Sequence, residues 1–265
     1  MRIKKIISSL FRIFGLSVSK SPKSGFEYLL NRPRFNIYEV NLLGENFEIA
    51  DSLSFYYSHK EIFIDEIYKF QCEKNDPIIL DCGSNYGTSI VYFKQLYPDA
   101  KIIGVEADPK IFKILKENIH QRSFKNVTLI NKAMSNKNGP IQFFSEGADG
   151  GRAHAMSESI GTHKVETLSL DDIVDGEIDF LKMDIEGSEA DVICHSNKLK
   201  KVNEIFIEYH SFVDGDQRLG DLLSCLTENG FRYYIQTQFC SKKPFMKVES
   251  QLGMDLQLNI FAKKN

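Results

Sequence analysis

At 265 residues, 42% of them hydrophobic and 26% charged, the chain has the composition of a folded protein large enough for one α/β domain with an extension. A net charge of −3 supplies no global field to recruit nucleic acid, so no nucleic-acid partner is expected. The five cysteines, Cys72, Cys82, Cys194, Cys225 and Cys240, are scattered and form no CxxC pair, which argues against a zinc ribbon or disulfide framework and for a reducing, cytoplasm-like compartment.

Residues 1–24 read as a basic amphipathic segment. Ile3, Ile6, Ile7, Leu10, Phe11 and Phe14 fall near helical spacing, with Lys4, Lys5 and Arg12 between them. The apolar run is too short and interrupted to span a bilayer. Residues 1–16 instead suit either a peripheral contact with the inner face of a membrane or a helix packed on the body or on a partner. "KSPKSG" at 20–25 breaks that segment. Residues 25–76 read as a cap. "RFNIYEVNLLGENFEIADS" predicts a hairpin around Gly44, and "HKEIFIDEIYKFQC" predicts a helix carrying Ile62, Ile64, Ile67, Tyr68 and Phe70.

From Pro77 to the last residue, short apolar runs alternate with amphipathic stretches. "IIL", a helix over 86–97, "KIIGVE", a helix over 109–121 and "NVTLIN" together predict a βαβαβ unit of a parallel sheet. "PIQFF" and "HKVETLSL" predict two extra strands around an insert loop, 145–162, whose polar sequence suits a lid with Arg152 and His154 able to reach an acceptor. Alternation resumes with "IDFLKMDI", a helix from near Ser188, "VNEIFIEYH", a helix over 216–229, "FRYYIQT" and "LQLNIFAKK".

"IILDCGSNYGTS" at 78–89 occupies the first strand-to-helix turn, where a doubly wound sheet binds its ligand. Gly83 and Gly87 allow close backbone approach. Their spacing matches neither G-x-G-x-x-G nor a P-loop, and the loop has no lysine. Asp81 would repel a pyrophosphate but suits an amine. Glu106, about 20 residues further on, is placed to accept both hydroxyls of a ribose. An amino-acid ammonium and a ribose together describe S-adenosylmethionine.

"ILDCGSNYGTSIVYF", "VEADPKIFKILKENI", "NVTLINKAMSNKNG", "VETLSLDDIV", "IDFLKMDIEGSEADVI" and "IFIEYH" resemble, in that order, the FkbM family of S-adenosylmethionine-dependent methyltransferases over roughly residues 60–265. "LKMDIEGSE" is the most specific element. The resemblance implies a Rossmann-like class I methyltransferase sheet of seven strands with the last one antiparallel, so that 77–265 is the catalytic domain. It implies that Asp81, Gly83, Asn85 and Gly87 meet the methionine part of the cofactor, Glu106 the ribose, Ala107 and Asp108 the adenosine side and Ala133 the adenine. It also implies O-methylation of a hydroxyl on a saccharide, glycolipid or related natural product, often in polysaccharide biosynthesis. Ser84 stands where the family more often has a smaller residue.

Methyl transfer needs an aligned nucleophile and a route for its proton. Alternation puts Phe180, Lys182 and Asp184 on one face of "FLKMDIEG" and Phe206, Glu208 and His210 on one face of "IFIEYH". If the two strands are neighbours, Asp184, His210, Glu208 and Lys182 converge, with Asp184 or His210 as the base. In the alternative structural reading, Lys182 neutralises Glu208. Glu186 and Ser188 are read as serving the turn and capping the next helix. A divalent metal on Asp184, Glu208 and His210 is possible but not favoured. His59, His120, His163 and His195 are read as structural or exposed. Two other functions stay open at this point: a nicotinamide-dependent oxidoreductase and a non-catalytic, membrane-associated binding module. The place of an Asn- or Asp-Pro-Pro-aromatic motif, usual for N-methylation of bases, reads "DIEG" here, which favours a hydroxyl acceptor.

Overall fold

The computed structural model describes residues 24–137, 139–145 and 161–264. The basic segment at 1–23 and the lid residues Arg152 and His154 lie outside the described residues.

Tyr38–Leu42 (β1) and Glu45–Ile49 (β2) pair antiparallel. Leu43 at φ 54° and Gly44 at φ +88° supply the two left-handed positions of a tight hairpin turn. Val40, Leu42, Phe47 and Ile49 bury one face of this hairpin. Asp51 then caps Ser52–His59 (α1) by accepting from the amides of Leu53 and Ser54. The helix ends in a π turn over Lys60–Ile64. The helix expected over 59–72 therefore starts and stops earlier. Glu66 adopts φ 51° and turns the chain, so Tyr68 and Phe70 reach the core from irregular backbone. Phe70 stacks on Phe180 with ring centroids 4.6 Å apart, and Tyr68 meets Phe206 edge-on at 4.8 Å. The apolar spacing in this stretch records that burial and not a helical face.

The main sheet is built from Ile78–Cys82 (β3), Thr88–Leu96 (α2), Lys101–Val105 (β4), Pro109–Gln121 (α3) and Val127–Ile130 (β5). Ala133–Met134 (β6), Ile141–Ser145 (β7), Gly161–Val165 (β8), Thr167–Leu168 (β9) and the single turn Leu170–Ile173 (α4) follow. The chain then returns to the sheet with Ile178–Met183 (β10), Glu189–Cys194 (α5), Val202–Phe212 (β11), Leu219–Glu228 (α6), Phe231–Cys240 (β12) and Met254–Lys264 (β13).

The seven strands run in the order β12-β13-β11-β10-β3-β4-β5. β11, β10, β3, β4 and β5 are mutually parallel, whereas β13 inserts antiparallel between β11 and β12. This is the class I methyltransferase sheet with its reversed last strand. The order reverses between β3 and β10, so the carboxyl ends of these two strands mark the ligand crevice. β7 and β8 form the extra antiparallel pair, and β6 pairs with β9.

A core layer lies on each sheet face. Ile79, Phe93, Phe180 and Phe206 join the cap residues on one side, and Leu80, Leu181, Ile205 and Ile207 form the other. Buried side chains tie the cap to α3 and the residue that follows it, with Arg122 donating to the Leu42 carbonyl at 2.7 Å. Asn118 on α3 accepts from the Glu48 amide and donates to the carbonyls of Glu48 and Tyr86.

Candidate active site

A cleft of about 600 Å³ opens at the strand-order reversal, within the range of a small-molecule site. The loop after β3 forms one wall. Gly83 and Ser84 both donate backbone N–H to the Val105 carbonyl at 2.9 Å, which pins the loop to the end of β4. Gly83 has φ +83°, and a Cβ there would sit 1.8 Å from the Asp184 carbonyl oxygen, so only glycine fits. Gly87 starts α2 at φ +92°, where a Cβ would lie 2.8 Å from Leu115. Its requirement is helix packing, and it does not line the cleft.

Glu106 does line the cleft. Its Oε2 accepts from the Asn85 amide at 3.0 Å and its Oε1 from the Asp108 amide at 2.8 Å. Burial pushes its carboxyl up to about 7, against the pull of those two amides. Asp108 caps α3 through the amides of Lys110 and Ile111. Ala107, Asp108 and Ala133 line the same wall. Asn85 has φ 47°, and its Oδ1 is buried without a partner among the described residues. Asn85 lines the cleft, and its buried oxygen is an acceptor still in need of a donor.

Sequence reasoning sets Asp81 against the ligand's ammonium. The structure gives its carboxylate other partners. Asp81 is fully buried and does not line the cleft. Its Oδ2 accepts from the Ser89 hydroxyl at 2.6 Å, and its Oδ1 lies 3.6 Å from Lys182 Nζ. Ser84, which also lines the cleft, donates its hydroxyl to the Asp81 carbonyl at 2.9 Å.

Lys182, buried at the cleft floor, is the hub of the charges there. Its Nζ donates to the Gly83 carbonyl at 2.6 Å and lies 3.2 Å from Asp184 Oδ2. Burial opposes the charge, but Asp184, Tyr68 and Asp81 hold the ammonium well above the usual lysine range. Lys182 therefore pairs with Asp81 and Asp184, and Glu208, which the alternative reading paired with it, feels it only as a minor attraction.

β10 and β11 are neighbours, with Lys182 opposite Phe206. Asp184 thus comes level with Glu208 beyond the end of β10. Both line the cleft. Burial pushes the Glu208 carboxyl up to about 8, and Asp184 adds to the rise. His210 is buried behind this pair and does not line the cleft itself. Its Nδ1 is 3.0 Å from Glu189 Oε1, and its Nε2 faces Glu186 at 3.7 Å and Glu208 at 3.8 Å. Burial disfavours the imidazolium, yet Glu186, Glu189 and Glu208 raise its pKa well above the ordinary value.

Ser188 stands at the N-cap position of α5 but makes no side-chain cap bond. Glu189 instead secures the turn before the helix: its Oε1 also accepts from the amides of Ile185 and Gly187. A fully buried carboxylate thus fixes both the "DIEG" turn and the imidazole. Among the described residues, Asp184, Glu186 and His210 bring three possible metal-ligand atoms within 4.8 Å of one another. Glu186 takes the place that Glu208 held in the expected trio, and Glu208 Oε1 accepts from Gln257 Nε2.

The FkbM methyltransferase domain matches residues 81–233. This chain belongs to that family. The FkbM chain is 33% identical over 159 residues to the 2-O-methyltransferase NoeI of Sinorhizobium fredii, covering 52% of this chain and 65% of the relative. It thus spans less than two thirds of that relative's length. It is 26% identical over 188 residues to the methyltransferase sdnD of Sordaria araneosa, covering 54% of this chain and 73% of the relative. Trm5b from Pyrococcus abyssi is 10% identical with a TM-score of 0.50, covering 87% of this chain and 56% of that one, a likeness of fold alone.

Several lining residues of this FkbM site carry no local signal in the sequence. Arg34, Tyr57 and Glu61 come from the cap, Tyr68 from the irregular segment, and Gln257 from the reversed strand, where it pairs with His210. Arg34 is held to Asp51 by its Nε at 3.1 Å. Of the four remaining histidines, His59 is buried and stacks on Phe63 at 5.0 Å, and burial lowers its pKa to about 4. His195 is exposed and bonds to the Asp191 carbonyl.

Proposed function

We propose that this protein is an S-adenosylmethionine-dependent O-methyltransferase acting on a hydroxyl of a saccharide, glycolipid or related natural product. The observation that carries the reading is the juxtaposition, on one cleft, of the Glu106 and Asn85 wall with the Asp184, Glu208 and His210 cluster. Membership of the FkbM family and the 2-O-methyltransferase name of a relative support it. They give the nicotinamide alternative no support.

The residues fit the cofactor. Gly83 lets the cleft loop pack directly on the Asp184 backbone, Asn85 Oδ1 lacks a donor among the described residues, and Glu106 lines the cleft with its oxygens resting on the Asn85 and Asp108 amides. Glu106 would take the ribose hydroxyls, with Ala107, Asp108 and Ala133 beside the adenosine. When bound, S-adenosylmethionine supplies the electrophilic methyl group.

The chain's own residues prepare the acceptor. Asp184 and Glu208 line the cleft where a hydroxyl would lie. Asp184 receives the hydroxyl proton, while His210, oriented through Nδ1 by Glu189 and held as the imidazolium by its three carboxylate neighbours, supplies positive charge behind Glu208. Arg34, Tyr57, Glu61 and Gln257 provide guanidinium, phenol, carboxylate and amide groups on the acceptor side. That mixture suits several hydroxyls better than an apolar ring. Asp184, Glu186 and His210 could also hold a divalent cation, which would acidify the hydroxyl.

The test is incubation of purified protein and methyl-labelled S-adenosylmethionine with glycan and lipid fractions, with and without EDTA. Label fixed in an alkali-stable ether is the expected result. Label released by mild alkali, as from a methyl ester, or label confined to amines would overturn the hydroxyl assignment. Loss of transfer with EDTA and recovery with Mg²⁺ or Mn²⁺ would bring the metal into the mechanism.

A further inference from the structure

The hairpin of β12 and β13 carries a loop, residues 241–253, that the chemistry above does not use. Its tip is a single turn in which the amides of Met246 and Lys247 both donate to the Lys243 carbonyl, at 2.9 and 3.0 Å. Its base is clamped by the Glu249 amide donating to Ser241 Oγ at 2.7 Å and by the paired backbones of Gln251 and Met254. This backbone holds apolar side chains out of the protein. Phe245 is 103% exposed and Met246 83%, with Val248 and Leu252 each at 56%.

Single exposed hydrophobic residues are ordinary, but four on one clamped loop form a patch that marks an interaction surface. The neighbours say what kind. Lys242, Lys243 and Lys247 are all exposed, and none forms an ion pair among the described residues. Glu249, at the base, is the one carboxylate between residues 241 and 250. Protein interfaces are depleted of lysine at their cores, whereas an aromatic and a thioether collared by lysines match the acyl boundary and headgroups of an anionic bilayer.

We propose that residues 241–253 form a membrane-docking tip. Phe245 and Met246 enter the acyl boundary, and Lys242, Lys243 and Lys247 rest on anionic headgroups. The same hairpin lines the cleft through Gln238 and Phe239 of β12 and through Gln251 and Leu252 at the base of the loop. Docking therefore sets one wall of the cleft against the lipid surface. That an acceptor is drawn from that surface rests on the methyl-transfer reading; the docking itself does not.

The experiment is cosedimentation of the full chain with vesicles of phosphatidylcholine, with or without phosphatidylglycerol. It compares wild type with Phe245→Ser/Met246→Ser and with Lys242→Gln/Lys243→Gln/Lys247→Gln. Wild type is expected to sediment with the anionic vesicles only, and each variant to lower the partition coefficient about tenfold or more. Thermal melting unchanged from wild type shows that the variants fold. An apolar-tip variant that sediments like wild type would overturn the proposal by assigning lipid binding to another part of the chain. A wild type that ignores vesicles, but whose tip variant shifts from dimer to monomer on size exclusion, would overturn it in favour of a second copy. Vesicle binding needs no methyl transfer, so this result stands apart from the fate of the catalytic reading.

Discussion

Glu106 offers a direct thermodynamic test of how the cleft wall is built. Its carboxyl is raised from 4.5 to about 7, chiefly by burial, while its two oxygens hold the amides of Asn85 and Asp108. The folded protein therefore keeps a proton on Glu106 over a pH range in which the unfolded chain has released it. Its contribution is fully present below about pH 4.5 and is lost as pH rises toward 7. At about 1.4 kcal/mol per pH unit, the loss amounts to about 3 kcal/mol of folding stability between those limits. Glu106→Gln removes the titration. It also turns an amide NH₂ toward one of two backbone donors, a cost of roughly 1–3 kcal/mol that does not vary with pH. Urea unfolding of the cofactor-free protein at about pH 5 and about pH 8 should show wild type losing more stability than the variant, by up to about 3 kcal/mol. The two curves should converge or cross at the higher pH. Parallel curves would refute the assignment of Glu106 as a buried, raised carboxyl.

Three further substitutions probe the rest of the site. Gly83→Ala places a Cβ 1.8 Å from the Asp184 carbonyl at φ +83°, and should lower stability by at least about 2 kcal/mol and abolish S-adenosylmethionine binding by calorimetry; an unchanged melting temperature would contradict the packing described. Lys182→Met strips the buried Asp81 carboxylate and the Gly83 carbonyl of a cationic partner, so urea unfolding should show a loss of roughly 3–5 kcal/mol; a neutral result would mean that the buried charges are compensated elsewhere. Glu189→Gln takes the carboxylate from His210 Nδ1 while leaving an acceptor for the Ile185 and Gly187 amides. The His210 titration followed by NMR should move to lower pH, and the falling limb of the rate–pH profile, where the imidazolium is lost, should move with it. An unmoved titration would remove Glu189 as the positioning residue.

Much of this protein is written in local sequence. The apolar runs and amphipathic stretches from 78 to 130 specify β3, α2, β4, α3 and β5, because strand and helix periodicities are local properties of the chain. The Gly83 turn and the Glu106 strand end mark one wall of the cleft for the same reason. "LKMDIEG" and "IFIEYH" announce polar groups in strands that should be apolar, and that anomaly is visible without coordinates. The residues that give those groups their partners are a different matter. Gln257 reaches Glu208 only because β13 runs backward between β11 and β12, a pairing set by sheet order. Asp81 looks like a ligand contact until Lys182, a hundred residues on, is seen beside it in the neighbouring strand. Tyr68 and Phe70 imitate a helical face, although their spacing comes from burial against β10 and β11. Sequence by itself determined the elements, one wall of the cleft and the polar anomaly beside it. Tertiary structure decided which charges neutralise one another, which carboxylate orients His210 and which cap residues line the cleft, because contacts between distant segments depend on strand order and register, and no local pattern encodes them.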